Sequence, residues 1–314
     1  MTSMRSFLFA TAGLVLALMP AVAQDVSELQ PNRVRTEYVS PKNPVHQPIY
    51  DRLRQRRVLE RIAEFLAPFR LPRELPMKIQ GCDGVANAFY EDEEIKVCYE
   101  YLDQIRIIDP NEARAVGLAP EDLVIGPTVD VFLHEFAHAL FDMLEIPVLG
   151  REEDAADLFS AYIQLQIDKD EARLLITGVA FLGRKEMQAE LGKTLNPRDF
   201  AKEHGLTGQR YFNVLCMAYG FDQHLFADAI EVWKLPPQRA EYCDLEYQQF
   251  ERAFRKLIAP YVDEVQFAAV RGRKWLQFET QGTAGADPRD GTSCVATRGP
   301  RLSAGRARQP CREP

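Results

Sequence analysis

The sequence predicts an α+β protein, a small antiparallel sheet with an edge strand followed by a mainly helical body. Two patterns carry that expectation. Between Met77 and Tyr99, short runs rich in Ile, Val, Phe and Tyr are separated by Gly and acidic turn residues, as strands are. From Val129 onward the apolar residues recur at helical spacing instead. No internal repeat is present.

Taken in order, residues 1–23 read as a secretory signal. Arg5 gives the basic start, Phe7 to Leu18 the apolar core, and Ala21-Val22-Ala23 the small-residue cleavage site. That apolar run is shorter than the roughly 20 residues a membrane span requires, and no span is expected after it. Residues 24–47 are polar and contain Pro, the composition of a linker. Ile49 to Phe69 places Leu53, Val58, Leu59, Ile62, Phe65 and Leu66 on one stripe, an amphipathic helix whose arginines face solvent. Pro72 to Pro76 interrupts the chain before expected strands at 77–81, 87–90 and 94–99, with Glu91-Asp92-Glu93 as a turn. Helices are expected at about 129–144, 152–168, 170–191, 207–219, 222–232 and 244–258, with Thr128 capping the first. One domain over 48–275 then gives way to 276–314, an Arg-, Gly-, Pro- and Ser-containing stretch too poor in apolar residues to bury a core and expected to be disordered.

The net charge of −8 gives no basic footprint for nucleic acid. Export would put the six cysteines in an oxidising setting, where pairing is expected. Six cysteines allow about 15 connectivities. Position favours Cys82 with Cys98, around the expected edge strand, and Cys216 with Cys243, leaving Cys294 and Cys311. A cysteine zinc site is disfavoured by the lack of any C-x-x-C spacing.

The most informative stretch is His134-Glu135-Phe136-Ala137-His138. Two histidines four apart lie on one helix face, so both imidazoles can reach one zinc ion, and the intervening Glu can serve as general base. A third ligand is expected from Gly150-Arg151-Glu152-Glu153-Asp154-Ala155-Ala156-Asp157, whose acids open a second helix. Glu153 and Asp157 share a face; Glu153 is assigned to the metal and Asp157 to the free ring nitrogen of His134. Glu152 and Asp154 point elsewhere and read as solvated.

An HExxH helix followed by a Glu-x-x-x-Asp helix resembles the gluzincins, which implies a zincin-like fold, and Asn87-Ala88-Phe89-Tyr90 looks like the strand with which gluzincins bind peptide backbone. Asn87 and Ala88 are the implied substrate-binding residues. His204 and Arg210 have the spacing of a His-Pro-x-x-x-x-Arg element in CAAX-protease-type enzymes, with Gly205 in place of the Pro. Both are implied near the catalytic centre. From about residue 45 to 270 the whole pattern resembles a bacterial family catalogued as putative zinc metallopeptidases, known mainly as a domain of unknown function. It includes Cys82, Cys98-Tyr99-Glu100, Gln209-Arg210-Tyr211-Phe212-Asn213, Cys216, Tyr219-Gly220 and Cys243. The expectation is an exported zinc metallopeptidase acting on peptides or proteins, with zinc on His134, His138 and Glu153, and Glu135 as base. The rivals are a non-catalytic zinc protein of the cell envelope and a zinc amidase acting on non-peptide substrates.

Overall fold

A computed structural model describes residues 29–106 and 110–276. The chain opens with β1 (Val34–Tyr38), α1 (Gln47–Gln55) and α2 (Val58–Leu66), followed by β2 (Leu75–Gln80), β3 (Ala88–Glu91) and β4 (Glu94–Cys98). Short helices α3 (Tyr99–Ile105), α4 (Pro110–Ala115) and α5 (Pro120–Leu123) lead into three long ones, α6 (Ile125–Met143), α7 (Glu152–Gln164) and α8 (Lys169–Leu191). Next come α9 (Thr207–Phe221), α10 (Asp228–Glu231), α11 (Pro237–Ala240), α12 (Cys243–Leu257) and α13 (Glu264–Arg271). The α+β class is as the sequence predicts. The expected signal, the tail from residue 277, Cys294 and Cys311 lie outside the described residues.

The sheet is mixed, which corrects the expectation of an antiparallel one. Its order is β1-β2-β4-β3, with β1 and β4 both parallel to β2 and only β3 antiparallel to β4. The cause is chain routing. After β2 the chain passes to the edge, descends as β3, turns at Asp92 and Glu93 (φ 52° and 63°), and returns as β4 between them. A two-residue turn with both φ positive matches the right-handed strand twist. The Cys82–Cys98 disulfide ties the ends of β2 and β4. Glu100 accepts hydrogen bonds from the Cys82 and Gly84 backbone N–H groups, fixing the loop that launches β3.

Four other local expectations change. The linker carries β1, a short strand that pairs with β2 only after an intervening helical crossover. The helix expected at 49–69 is two helices, because Arg57 adopts φ 52° and breaks the ladder. Helix α6 begins at Ile125, so Thr128 lies inside it and its hydroxyl donates to the Val124 carbonyl rather than capping. Of the helix expected at 222–232, only Asp228–Glu231 is helical.

Helix α6 runs beneath β3 and β4 and packs on α7 and α8. The segment Pro120–Met143 is long and apolar enough to cross a membrane, but 67% of its apolar window is buried inside the protein. An aromatic knot locks the arrangement: Phe69, Phe136 and Phe159 are buried, with ring centroids 5.1 to 6.2 Å apart. Rings at that spacing add edge-to-face attraction to the apolar area they bury. Gly126 and Gly178 let α6 and α8 touch; a Cβ on Gly126 would lie 2.1 Å from the Leu175 carbonyl oxygen. The Cys216–Cys243 disulfide joins α9 to α12.

Candidate metal centre

The centre forms where α6 and the start of α7 cross. The chain folds back after Met143, so the N-terminal turn of α7 faces the His134–His138 stripe of α6. His134 and Glu135 are buried among the apolar residues of α6. The imidazoles of His134 and His138 converge: His134 Nε2 lies 3.2 Å from His138 Nε2 and 3.1 Å from Glu153 Oε2, and His138 Nε2 lies 3.6 Å from that same oxygen. His204 adds another nitrogen, its Nε2 standing 2.8 Å from Glu153 Oε2.

Each α6 histidine is held from behind by a carboxylate. His134 Nδ1 lies 2.9 Å from Asp157 Oδ1, off the line of an ideal hydrogen bond, and His138 Nδ1 lies 2.7 Å from Glu152 Oε1. Asp157 is in turn gripped by Arg210, with Nε and Nη2 donating to its two oxygens at 2.6 and 2.7 Å. A carboxylate on Nδ1 keeps the proton there and leaves the Nε2 lone pair facing its twin. In that neutral tautomer two such lone pairs and a carboxylate oxygen point at one position, which a cation can fill.

The distances fit a metal. Tetrahedral zinc with ligands at about 2.0–2.2 Å separates its donor atoms by roughly 3.3 Å; the three edges here are 3.1, 3.2 and 3.6 Å. When no metal is bound, protons serve as the counter-charge. Burial disfavours a charged His134, but Asp157 and Glu153 outweigh it and push the imidazole up to about 10. Burial would also raise Glu153, yet its three histidine contacts hold it far below the usual carboxylate range. Asp157 is held low against burial by Arg210 and then His134.

Glu135 does not join the converging donors. Burial raises its carboxyl above the ordinary value, although His134 and His138 oppose this, and the Tyr90 backbone N–H of β3 faces it. It lines a cavity of about 150 Å³ together with His134, Asn87, Ala88, Tyr101 and Asp130. β3 is the edge strand of the sheet. It is braced against α6 where the Tyr90 hydroxyl donates to Asp142 at 2.7 Å.

The structure therefore brings together His134, His138, Glu153, Asp157, Glu135, His204, Asn87 and Ala88. One expectation needs correction. Glu152, read as solvated, buttresses His138, because residues at a helix start splay toward whatever crosses the terminus. Arg210 spends two donors of its fork on Asp157 and so reaches His134 through that carboxylate. Sequence reasoning missed Asp130, which lies one turn before His134 and accepts hydrogen bonds at 2.7 Å from Ser160 and Gln164. Its spacing of four from His134 was the available signal. The hydroxyl of Tyr211 donates to the Trp233 carbonyl, a packing role.

Two disulfides fit an oxidising compartment. No curated protein and no solved structure matches the chain. A family described as "Putative metallopeptidase" matches residues 38–258, which include β2 to β4, the convergent histidines and their carboxylates. The chain belongs to that family, whose activity implies a metal ion and a peptide or protein substrate.

Proposed function

We propose that the protein is an exported, zinc-dependent metallopeptidase with His134, His138 and Glu153 as metal ligands. One observation carries the reading: three donors form a triangle of metal-site dimensions, and a separate buried carboxylate, Glu135, stands beside them. Nitrogen and carboxylate donors of this kind suit zinc. Bound zinc supplies Lewis acidity toward a water and a peptide carbonyl.

The protein's own residues do the rest. Glu135, whose burial raises its basicity, takes the proton of the attacking water and returns it to the leaving amine. Arg210 holds Asp157, Asp157 holds His134, and Glu152 holds His138, so both Nε2 lone pairs stay aimed at one point. The open edge of β3 pairs with an extended peptide backbone through Asn87 and Ala88 and lays it across the centre. The disulfides and the signal-like residues 1–23 support export.

The test is metal analysis followed by digestion of a peptide library, with and without chelator, using Glu135→Gln as control. Glu135→Gln is expected to keep its metal and lose about 100-fold or more in peptide cleavage. Equal activity in that variant would refute the base assignment. Metal retention without cleavage by either the parent protein or His204→Ala would favour a non-catalytic zinc protein.

A further inference from the structure

Between α8 and α9, residues 192–206 form a strap with unusually little packing. No residue from 191 to 204 is buried; Leu191 is 71% and Phe200 65% exposed. Local caps shape it rather than a core. The Asn196 side chain accepts from the Arg198 N–H, Asp199 accepts from the Asn196 N–H, and Gln209 accepts from the Leu206 N–H. One side chain reaches inward. His204 sets its Nε2 2.8 Å from Glu153 Oε2 and stacks its ring on His134, with planes 15° apart and centroids at 6.2 Å. The donor atoms of His134, Glu153 and His204 all lie within 4.8 Å of one another.

We propose that His204 is a fourth protein donor to the metal, carried on a displaceable strap, so that the folded centre is closed until the strap moves. The inference rests on the metal assignment of the preceding section. Three imidazole nitrogens surround a single carboxylate oxygen at 2.8, 3.1 and 3.6 Å, and His134, Glu153 and His204 form a mutually close group that could hold a metal ion. Centres with four protein donors are closed, whereas catalytic centres keep one position for water. His204 is built to leave where the other two are built to stay. Its side chain is 45% exposed against 8% and 13% for His134 and His138. Among the described residues, no carboxylate backs its other ring nitrogen, the device that strengthens His134 and His138 as ligands. A segment with so little buried apolar surface opens at low free-energy cost. The site residues of α6 and α7 need not move when it does.

The experiment loads the full-length protein with Co²⁺, whose visible absorption reports the donor set, and measures affinity by chelator competition. His204→Ala and His204→Gln are compared with His134→Ala and with His224→Ala, an exposed histidine outside the site. Both His204 variants should bind metal at least about 10-fold more weakly. They should also show an altered cobalt spectrum that responds to added azide, while the parent and His224→Ala spectra do not respond. His204 variants matching the parent in affinity and spectrum, while His134→Ala loses the metal, would overturn the fourth-donor assignment and leave the centre standing. A parent protein that binds no metal, or binding indifferent to His134→Ala, would overturn the centre and the proposed function together.

Discussion

Replacing Arg210 by Met tests whether the centre is held by a chain of contacts running back from His134. Arg210 meets Asp157 through two hydrogen bonds of 2.6 and 2.7 Å, and Asp157 Oδ1 stands 2.9 Å from His134 Nδ1. Removing one partner from a fully buried ion pair costs about 3–5 kcal/mol, because the other charge loses its compensation. The Asp157 side chain is 11% exposed but that of Arg210 is 35%, so water screens the pair from one side. With that discount and with His134 still facing Asp157, the expected loss is about 2 kcal/mol. Asp157→Asn in the same background removes the stranded charge, and the double variant should be about 1 kcal/mol more stable than the sum of the single losses predicts. Urea unfolding of the metal-free protein, followed by far-UV circular dichroism, reads both quantities. Metal affinity should fall about 10- to 100-fold in Arg210→Met, since His134 loses its orientation. A stability loss below about 0.5 kcal/mol together with strict additivity would refute the chain of contacts.

Glu152→Gln should weaken metal binding by about 10-fold, the low end for a ligand-orienting contact, because Glu152 is 53% exposed; chelator competition measures it, and unchanged affinity would leave Glu152 a surface acid. Phe159→Ala empties part of the aromatic knot under α6 and α7 and should cost about 3–5 kcal/mol in urea unfolding. The metal-free protein should lose stability as pH rises from about 6.5 toward about 10. There the folded His134 value exceeds the unfolded one, so its contribution is complete below the unfolded value and vanishes as the folded group deprotonates. Metal takes the proton's place, so the loaded protein should be flat over that window. Depressed carboxyls act in the opposite direction. Burial raises Asp157 and Asp228, but Arg210 and Arg173 overcome it, so their contribution is present above about pH 4 and is lost on acidification. Unfolding midpoints across pH, with and without metal, check both windows.

What the sequence made legible follows from the range over which each signal acts. The α6 and α7 pair was readable because helical periodicity is local and the His134–His138 spacing is unambiguous on it. Glu152 was misassigned because periodicity stops deciding direction at a helix terminus, where the crossing helix sets which acids are reached. The break at Arg57 carries no Gly or Pro to announce it. β1 was invisible for another reason: Val34–Tyr38 is short, and its partner, β2, lies beyond two helices. The parallel pairing of β4 with β2 likewise depends on where the intervening hairpin docks, which no run of residues between them encodes. His204 and Arg210 came from a motif spacing, yet their roles depend on contacts with Glu153 and Asp157, some fifty residues away in sequence.

The charges of the centre explain why the same side chains can fold without metal and still hold one. Glu135, Glu152, Glu153 and Asp157 crowd the two α6 histidines, while among the described residues Arg210 is the one guanidinium contacting these carboxylates. Such an excess of buried negative charge is stable only if positive charge is supplied. Protonated histidines supply it in the metal-free fold, which is why burial fails to lower His134. A divalent cation supplies the same charge through the same Nε2 atoms, so proton and metal exclude each other at each nitrogen. The carboxylates behind the rings therefore serve two states with one geometry. They hold the imidazolium while the site awaits metal, and they hold the neutral ligand tautomer afterwards, so loading requires proton release but no rearrangement of α6 or α7.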